Sequence, residues 1–285
     1  MSTRPEYLQD MALYAITAEG CHPGSDLIEV MEAALRGGAD MLQYRDKHSE
    51  PQQRLEKAQA LRRLTRRYGV PLIVNDDVEL ALAAEADGVH LGQGDLPLAA
   101  ARRRLGRDRL IGISTHALAE AREAEAGGAD YIGAGPVYPT GTKPDAAPVT
   151  PAYVQAVAAE IRIPHVAIGG ITTANVAEVL EAGARCISAV SAIVGSPDAE
   201  RVSRTLAERV RAHRGEADAA RRIMLNGREE QVQARTLGEL LRRRGLHGRR
   251  LVIELDGRIV PQPQWAQERL SAGARVELVH FVGGG

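Results

Sequence analysis

Gln43, Arg45 and Lys47 recur on alternate positions. Alternation along an extended segment puts the three side chains on one side, and two cations with an amide suit a polyphosphate. A solvated charged loop is the competing reading of these residues alone. Val74-Asn75-Asp76-Asp77 and Gly92-Gln93-Gly94-Asp95 add carboxylates. Hard oxygens from neighbouring segments, completed by phosphate oxygens, are what Mg²⁺ requires. Asp77 precedes a helical segment and is assigned to its N-cap, which leaves Asp76 and Asp95 for the metal. Ser114-Thr115-His116 offers hydroxyls to phosphate. A Ser/His nucleophile pair is the sharper reading there, but adjacent residues rarely reach that geometry and no orienting third member is visible. The polar, Gly/Pro-rich run from Gly135 to Asp145 can close over phosphate through Thr140, Thr142 and Lys143, or serve only as a surface loop. Gly169-Gly170 and Val190-Ser191 complete the set, with backbone amides that can meet an anion. Together these residues describe one pocket with a metal-assisted polyphosphate subsite and a monophosphate subsite, fit to join two phosphorylated small molecules.

All of these groups lie at or just after the carboxyl ends of short β-rich runs, at 12–17, 41–46, 71–76, 88–93, 110–115, 131–136, 165–170 and 186–191. Segments of helical period separate them, at 26–36, 51–67, 78–84, 98–105, 117–126, 151–159 and 174–182. A Gly-Gly-Ala-Asp phrase, or a near copy of it, precedes several strands and marks helix-to-strand turns. Eight β-α units in roughly 200 residues predict an α/β fold of the (β/α)8 TIM-barrel kind, whose active sites lie at the carboxyl ends of the strands. A doubly wound sheet is the alternative.

The rest of the chain differs. Residues 221–285 carry 12 Arg against 7 Asp and Glu, a net of +5, which leaves −6 for residues 1–220 of a chain whose total is −1. We therefore expect a barrel domain over 1–213, a polar linker over 214–220 and a small α+β domain over 221–285. The small domain is read as strands at 222–226 and 231–235, a helix at 236–244 opened by a Thr236/Glu239 capping box, and strands at 251–255 and 275–282. Only 3% of residues are aromatic and the net charge is slight, which argues against a single-strand nucleic-acid binder. No stretch resembles a membrane span or a signal peptide. Cys21 and Cys186 lie far apart without metal-ligand spacing, so a cytoplasmic location is expected.

The motifs Leu42-Gln43-Tyr44-Arg45-Asp46-Lys47, Val74-Asn75-Asp76-Asp77-Val78-Glu79-Leu80, Gly88-Val89-His90-Leu91-Gly92-Gln93, Gly135-Pro136-Val137-Tyr138-Pro139-Thr140 with Thr142-Lys143, and Ala167-Ile168-Gly169-Gly170-Ile171 resemble those of the thiamine phosphate synthase family over about residues 10–200. Tyr44 and Asp46 stand where leucine and glutamate are common in that family. The resemblance implies a transferase that couples hydroxymethylpyrimidine diphosphate with a thiazole phosphate and releases pyrophosphate. It implies that Gln43, Tyr44, Arg45, Asp46, Lys47, Asn75, Ser114 and Lys143 bind the pyrimidine diphosphate, with Arg45, Lys47 and Lys143 lowering the barrier. Asp76 and Asp95 would bind Mg²⁺, and Thr140, Gly141, Thr142, Gly170, Val190 and Ser191 the thiazole phosphate. A thiazole tautomerase is the nearest rival, and needs no diphosphate site. Leu225-Asn226-Gly227, Ile259-Val260-Pro261, Gln264-Trp265 and the Gly283-Gly284-Gly285 end resemble a ubiquitin-like, β-grasp sulfur carrier of the thiamine pathway. That resemblance implies a thiocarboxylate at Gly285 and, as partners, an adenylating enzyme and thiazole synthase. A β-grasp interaction module without carrier chemistry and a molybdopterin-type carrier are the alternatives.

Overall fold

The structure, a computed structural model, describes residues 7–18, 26–141, 147–218, 221–234, 236–244, 246, 251–265 and 268–280. The chain divides into two compact units, Met1–Arg211 and Ala212–Gly285. In the first, strands β1 (Leu13–Ile16), β2 (Met41–Tyr44), β3 (Leu72–Asn75), β4 (Gly88–Leu91), β5 (Leu110–Thr115), β6 (Tyr131–Ala134), β7 (His165–Ile168) and β8 (Ile187–Ala189) pair in parallel in chain order, and β8 returns to β1 to close the barrel. Helices α1 (Tyr7–Asp10), α2 (Leu27–Arg36), α3 (Pro51–Tyr68), α4 (Val78–Ala83), α5 (Leu98–Leu105), α6 (Leu118–Ala126), α7 (Thr150–Glu160), α8 (Val176–Glu181) and α9 (Ser191–Val194) alternate with them, and α10 (Ala199–Asp218) begins in the first unit and ends in the second. The expected TIM barrel is therefore present. β5 keeps its full expected length, and the other strands lose one or two residues at one or both ends, because those residues leave the ladder to build the loops.

Two differences concern the helices. α1 and α9 span a single turn each, too short for a periodic signal. The stretch expected as a linker at 214–220 is instead helical as far as Asp218; its Arg, Glu and Ala are good helix formers, so polarity there does not mark a coil.

Closure makes the period of two decisive. One set of strand side chains, including Leu13, Leu42, Tyr44, Val74, Val89, Ile111, Ile132, Ala167 and Ile187, packs outward into the helical layer. The alternate set, with Tyr14, Ile16, Met41, Ile73, Leu110, Tyr131, Val166 and Cys186, fills the barrel interior together with Leu8 and Met11. At the amino-terminal end the recurrent aspartates lock neighbouring strands together. Asp40 accepts from the Ala12 and Leu13 amides, Asp87 from Leu72 and Asp130 from Ile111, so an aspartate before an even-numbered strand caps the start of the preceding one. Arg211, Arg62 and Arg102 pair with these three aspartates in turn.

The second unit is a five-stranded mixed sheet in the order β10-β9-β13-β11-β12, built from β9 (Arg221–Leu225), β10 (Arg228–Val232), β11 (Leu251–Leu255), β12 (Arg258–Ile259) and β13 (Arg275–His280), with α11 (Leu237–Arg243). β9 and β13 are parallel and the other pairs antiparallel, an arrangement consistent with a β-grasp. Ile223, Leu225, Leu237, Leu240, Ile253, Trp265 and Val276 form its core. β10 begins three residues earlier than expected, because Asn226 and Gly227 take positive φ of 47° and 75° and turn the chain within two residues. Its charged Arg228-Glu229-Glu230 start concealed it. The Glu239 side chain of the expected capping box and residues 281–282 of the last strand lie outside the described residues.

Inside the barrel, Gly112 on β5 gives space to two neighbours. A Cβ there would lie 2.2 Å from Tyr131 Cζ and 2.6 Å from His90 Nδ1. Gly112→Ala is therefore expected to cost about 1–3 kcal/mol by overpacking and to lower the Tm by several degrees. Gly94→Ala, whose Cβ would meet nothing within 4 Å, should leave Tm unchanged in the same calorimetric scan.

Candidate active site

Above the apolar layer, the inward parity brings polar groups to the carboxyl ends of the strands. A cleft is lined there by Gln43, Arg45, Asn75, Ser114, Thr140, Gly170, Val190 and Ser191 among others. Eight residues expected from the sequence thus share one cleft although they come from six strand ends. The loop after β7 packs closely on that after β6: Cβ atoms at Gly169 and Gly170 would meet Pro136 at 2.4 Å and the Pro139 carbonyl at 2.7 Å. Gly141 is exposed beside Thr140. Thr142, Lys143 and Gly285 lie outside the described residues.

Thr17, fully buried at the end of β1, positions the cationic segment. Its hydroxyl donates to the Arg45 carbonyl at 3.0 Å and accepts from the Arg45 amide at 2.8 Å. Lys47 Nζ lies 3.2 Å from Asp76 Oδ2, with both side chains partly exposed. An exposed pair of this kind contributes little stability, so a ligand can displace it at small cost. Asp76 has a positive φ of 62°, a conformation that an Asp tolerates better than most residues, and its carboxyl meets that of Asp95. Burial first, then the neighbouring Asp76, raises the Asp95 carboxyl above its ordinary value; the Gly92 amide, 2.7 Å away, and Lys47 pull the other way. Two adjacent carboxyls beside one exposed ammonium are a donor set that a hard cation would relieve. Asp77 caps α4 by accepting from the Leu80 amide at 2.9 Å and is held by Arg54.

Tyr44 and Asp46, expected in the substrate set, are not among the residues that line the cleft. They have the outward parity: Tyr44 is buried in the helical layer and donates to Asp46 at 3.0 Å. The Asp46 side chain is wholly enclosed, and its oxygens accept from the His48 and Ser49 amides and from Lys57. Burial alone would raise this carboxyl, but the Ser49, His48 and Lys57 donors outweigh it and hold it well below the usual carboxylate range. Asp46 is the fixed pivot of the turn that carries Lys47.

Sequence reasoning gave no separate role to Tyr14, His90 and Tyr131, which the barrel joins to Gln43 and Ser114. Tyr14 and Tyr131 hydroxyls lie 3.0 Å apart; Gln43 Nε2 donates to Tyr14 at 2.8 Å; Tyr131 reaches His90 Nδ1 at 3.1 Å; and His90 Nε2 lies 2.9 Å from Ser114 Oγ. Burial raises both tyrosine hydroxyls above their ordinary value, so they stay neutral. The signal was available: three polar aromatic residues at inward positions, opposite the strand glycines Gly112 and Gly133, whose Cβ atoms would approach His90. Ser114 thus finds its imidazole on β4. His116, its sequence neighbour, instead binds Glu120 through its amide and Nδ1.

Residues 13–193 match the family described as thiamine monophosphate synthase, and residues 220–285 match the ThiS family. A thiamine-phosphate synthase of Halalkalibacterium halodurans is 56% identical over 192 residues, covering 67% of this chain and 91% of that one. A thiamine biosynthesis bifunctional protein ThiM/ThiE of Symbiobacterium thermophilum is 44% identical over 216 residues, 75% of this chain and 44% of its own. The structure of a thiamine phosphate pyrophosphorylase from Pyrococcus furiosus superposes with a TM-score of 0.67 at 37% identity, covering 73% of this chain and 99% of that one. Family, relatives and fold agree with the cleft at the strand ends: the chain belongs to the thiamine monophosphate synthase family, a thiamine-phosphate synthase barrel followed by a ThiS-family domain.

Proposed function

We propose that the cleft joins 4-amino-2-methyl-5-hydroxymethylpyrimidine diphosphate to thiazole phosphate with Mg²⁺, forming thiamine phosphate and pyrophosphate. The observation that carries this reading is the Asp76–Asp95 carboxyl pair beside Lys47, next in sequence to Asn75 of the cleft wall. Asp76 and Asp95 would hold Mg²⁺, which supplies positive charge against the departing pyrophosphate. Gln43, Asn75 and Ser114 orient the pyrimidine diphosphate. Arg45 and Lys47, with Lys143, hold the diphosphate and stabilise its charge as the carbon–oxygen bond breaks and pyrophosphate leaves with the electron pair. The aminopyrimidine delocalises the remaining methylene cation, and the thiazole nitrogen attacks it with its own lone pair to form the carbon–nitrogen bond. Thr140, Thr142, Gly170, Val190 and Ser191 hold the thiazole phosphate, the backbone amides of the last two loops facing the anion. No nucleophile from the chain is required. The curated relatives reported above are named as synthases, or as a bifunctional protein of thiamine biosynthesis, which favours this reading over a tautomerase.

The wild-type chain is expected to form thiamine phosphate from the two substrates, with loss of product in EDTA and a fall of about 10²-fold or more in kcat for Asp76→Ala and Asp95→Ala. No product from folded wild type, or full activity in EDTA, would overturn the reading.

A second activity is supported by the ThiS-family match and the mixed five-stranded sheet. The Gly285 carboxylate would be adenylated by an adenylating enzyme with ATP, after which a sulfur donor displaces AMP to leave a thiocarboxylate for thiazole synthase. The net charge of +5 on residues 221–285 would favour docking on acidic partners. Incubation with adenylating enzyme, ATP and a sulfur source should raise the intact mass by the difference between sulfur and oxygen, and deletion of Gly285 should abolish the gain. An unchanged wild-type mass would leave the β-grasp unit an interaction module.

A further inference from the structure

Five side chains from five different strands form one continuous hydrogen-bonded path across the barrel interior: Gln43, Tyr14, Tyr131, His90 and Ser114. Its two ends, Gln43 and Ser114, line the cleft, as do the edges of Tyr14 and His90, while Tyr131 does not. The three links between them are buried, with Tyr14 at 2%, Tyr131 at 0% and His90 at 9% exposure. The rings also pack on one another, Tyr14 and Tyr131 edge to face at 6.0 Å and His90 against Tyr131 at 5.5 Å.

Proton counting gives the path a direction. Each tyrosine hydroxyl has one proton, and a neutral imidazole has one. Gln43 Nε2 donates to Tyr14, so the Tyr14 proton is free for Tyr131. Tyr131, having accepted, donates to Nδ1 of His90. Nδ1 is then bare and the ring proton sits on Nε2, from which it is donated to Ser114 Oγ. The hydroxyl proton of Ser114 is left to point into the cleft, while Gln43 keeps its carbonyl oxygen as an acceptor at the other end.

We propose that Tyr14, Tyr131 and His90 are positioning residues: a one-way hydrogen-bond relay that fixes His90 as the Nε2–H tautomer and thereby presents Ser114 to the substrate as a donor and Gln43 as an acceptor. The two ends would otherwise be free to rotate. Their complementary polarity suits a ligand that carries an anionic oxygen at one side and an amine at the other. Tyr131, which is not among the residues lining the cleft, acts through Ser114 without touching the ligand. Gly112 and Gly133 belong to the same device, since their missing side chains make room for the His90 ring. The identity of the ligand rests on the synthase reading; the direction of the relay does not.

The test has two arms on the full chain. In the first, ¹⁵N spectra of histidine-labelled wild type, with His90 assigned by the signal missing in His90→Gln, should show a proton on Nε2 and none on Nδ1. A proton on Nδ1, or an exchanging mixture, overturns the proposal whether or not the protein makes thiamine phosphate. In the second, Tyr131→Phe should lower kcat roughly tenfold, but less than about twofold when added to Ser114→Ala, because its effect passes through that hydroxyl. Losses that multiply independently overturn the relay and leave Tyr131 a packing residue. If wild type forms no product, the synthase reading fails while the tautomer measurement still decides the relay.

Discussion

Closing eight parallel strands on themselves sends every second side chain into a space sealed from the helices, and the rest of the barrel follows from that constraint. The lower part of this space can be filled with hydrocarbon, as it is by Met11, Met41 and Leu110. The upper part opens into the cleft and carries polar groups among apolar ones such as Ile16, Ile168 and Ile171, and polar groups enclosed by a barrel wall must find partners among themselves. The Gln43–Tyr14–Tyr131–His90–Ser114 path is that solution. It spends no charge in the interior and delivers hydrogen-bonding groups of defined kind to the cleft floor.

Charge is kept to the rim, where solvent can moderate it. Asp76 lies there beside both Lys47 and Asp95, while the one wholly enclosed carboxylate of this segment, Asp46, is held by Lys57 and two backbone amides. A fixed Asp46 and a displaceable Lys47, neighbours in sequence, divide the work of shaping the turn and meeting the ligand. The amino-terminal end of the barrel holds the opposite kind of feature. Its Asp40, Asp87 and Asp130 brackets are satisfied by strand amides and arginines, and they stabilise the scaffold and take no part in the chemistry.

Much of this was legible before the structure. The β-α alternation and the recurring glycine turns indicated the barrel, and reading only the strand ends collected Gln43, Arg45, Asn75, Ser114, Thr140, Gly170, Val190 and Ser191, which do share one cleft. Tyr44 and Asp46 were carried along with their neighbours in a motif, although the same alternation that selects Gln43 and Arg45 turns these two to the helices. Tyr14, His90 and Tyr131 were hidden for a different reason. They stand within strands, not at their ends, and buried aromatic residues read as core until the barrel brings β1, β4 and β6 to one interior. In the small unit, Asn226-Gly227 marked the hairpin, but the charged start of β10 offered no apolar alternation to place it.

The central claim is that one cleft at the strand ends holds both reactants, with the diphosphate against Arg45, Lys47 and the Asp76/Asp95 pair and the monophosphate against the loops after β7 and β8. A crystal structure of the wild-type chain with Mg²⁺, pyrophosphate and thiamine phosphate tests it most directly. Pyrophosphate and the metal between Lys47 and Asp76/Asp95, with the thiamine phosphate group against Gly170 and Ser191, is the expected result. Pyrophosphate bound away from the carboxyl pair, or both anions in the β7–β8 loops, would contradict it.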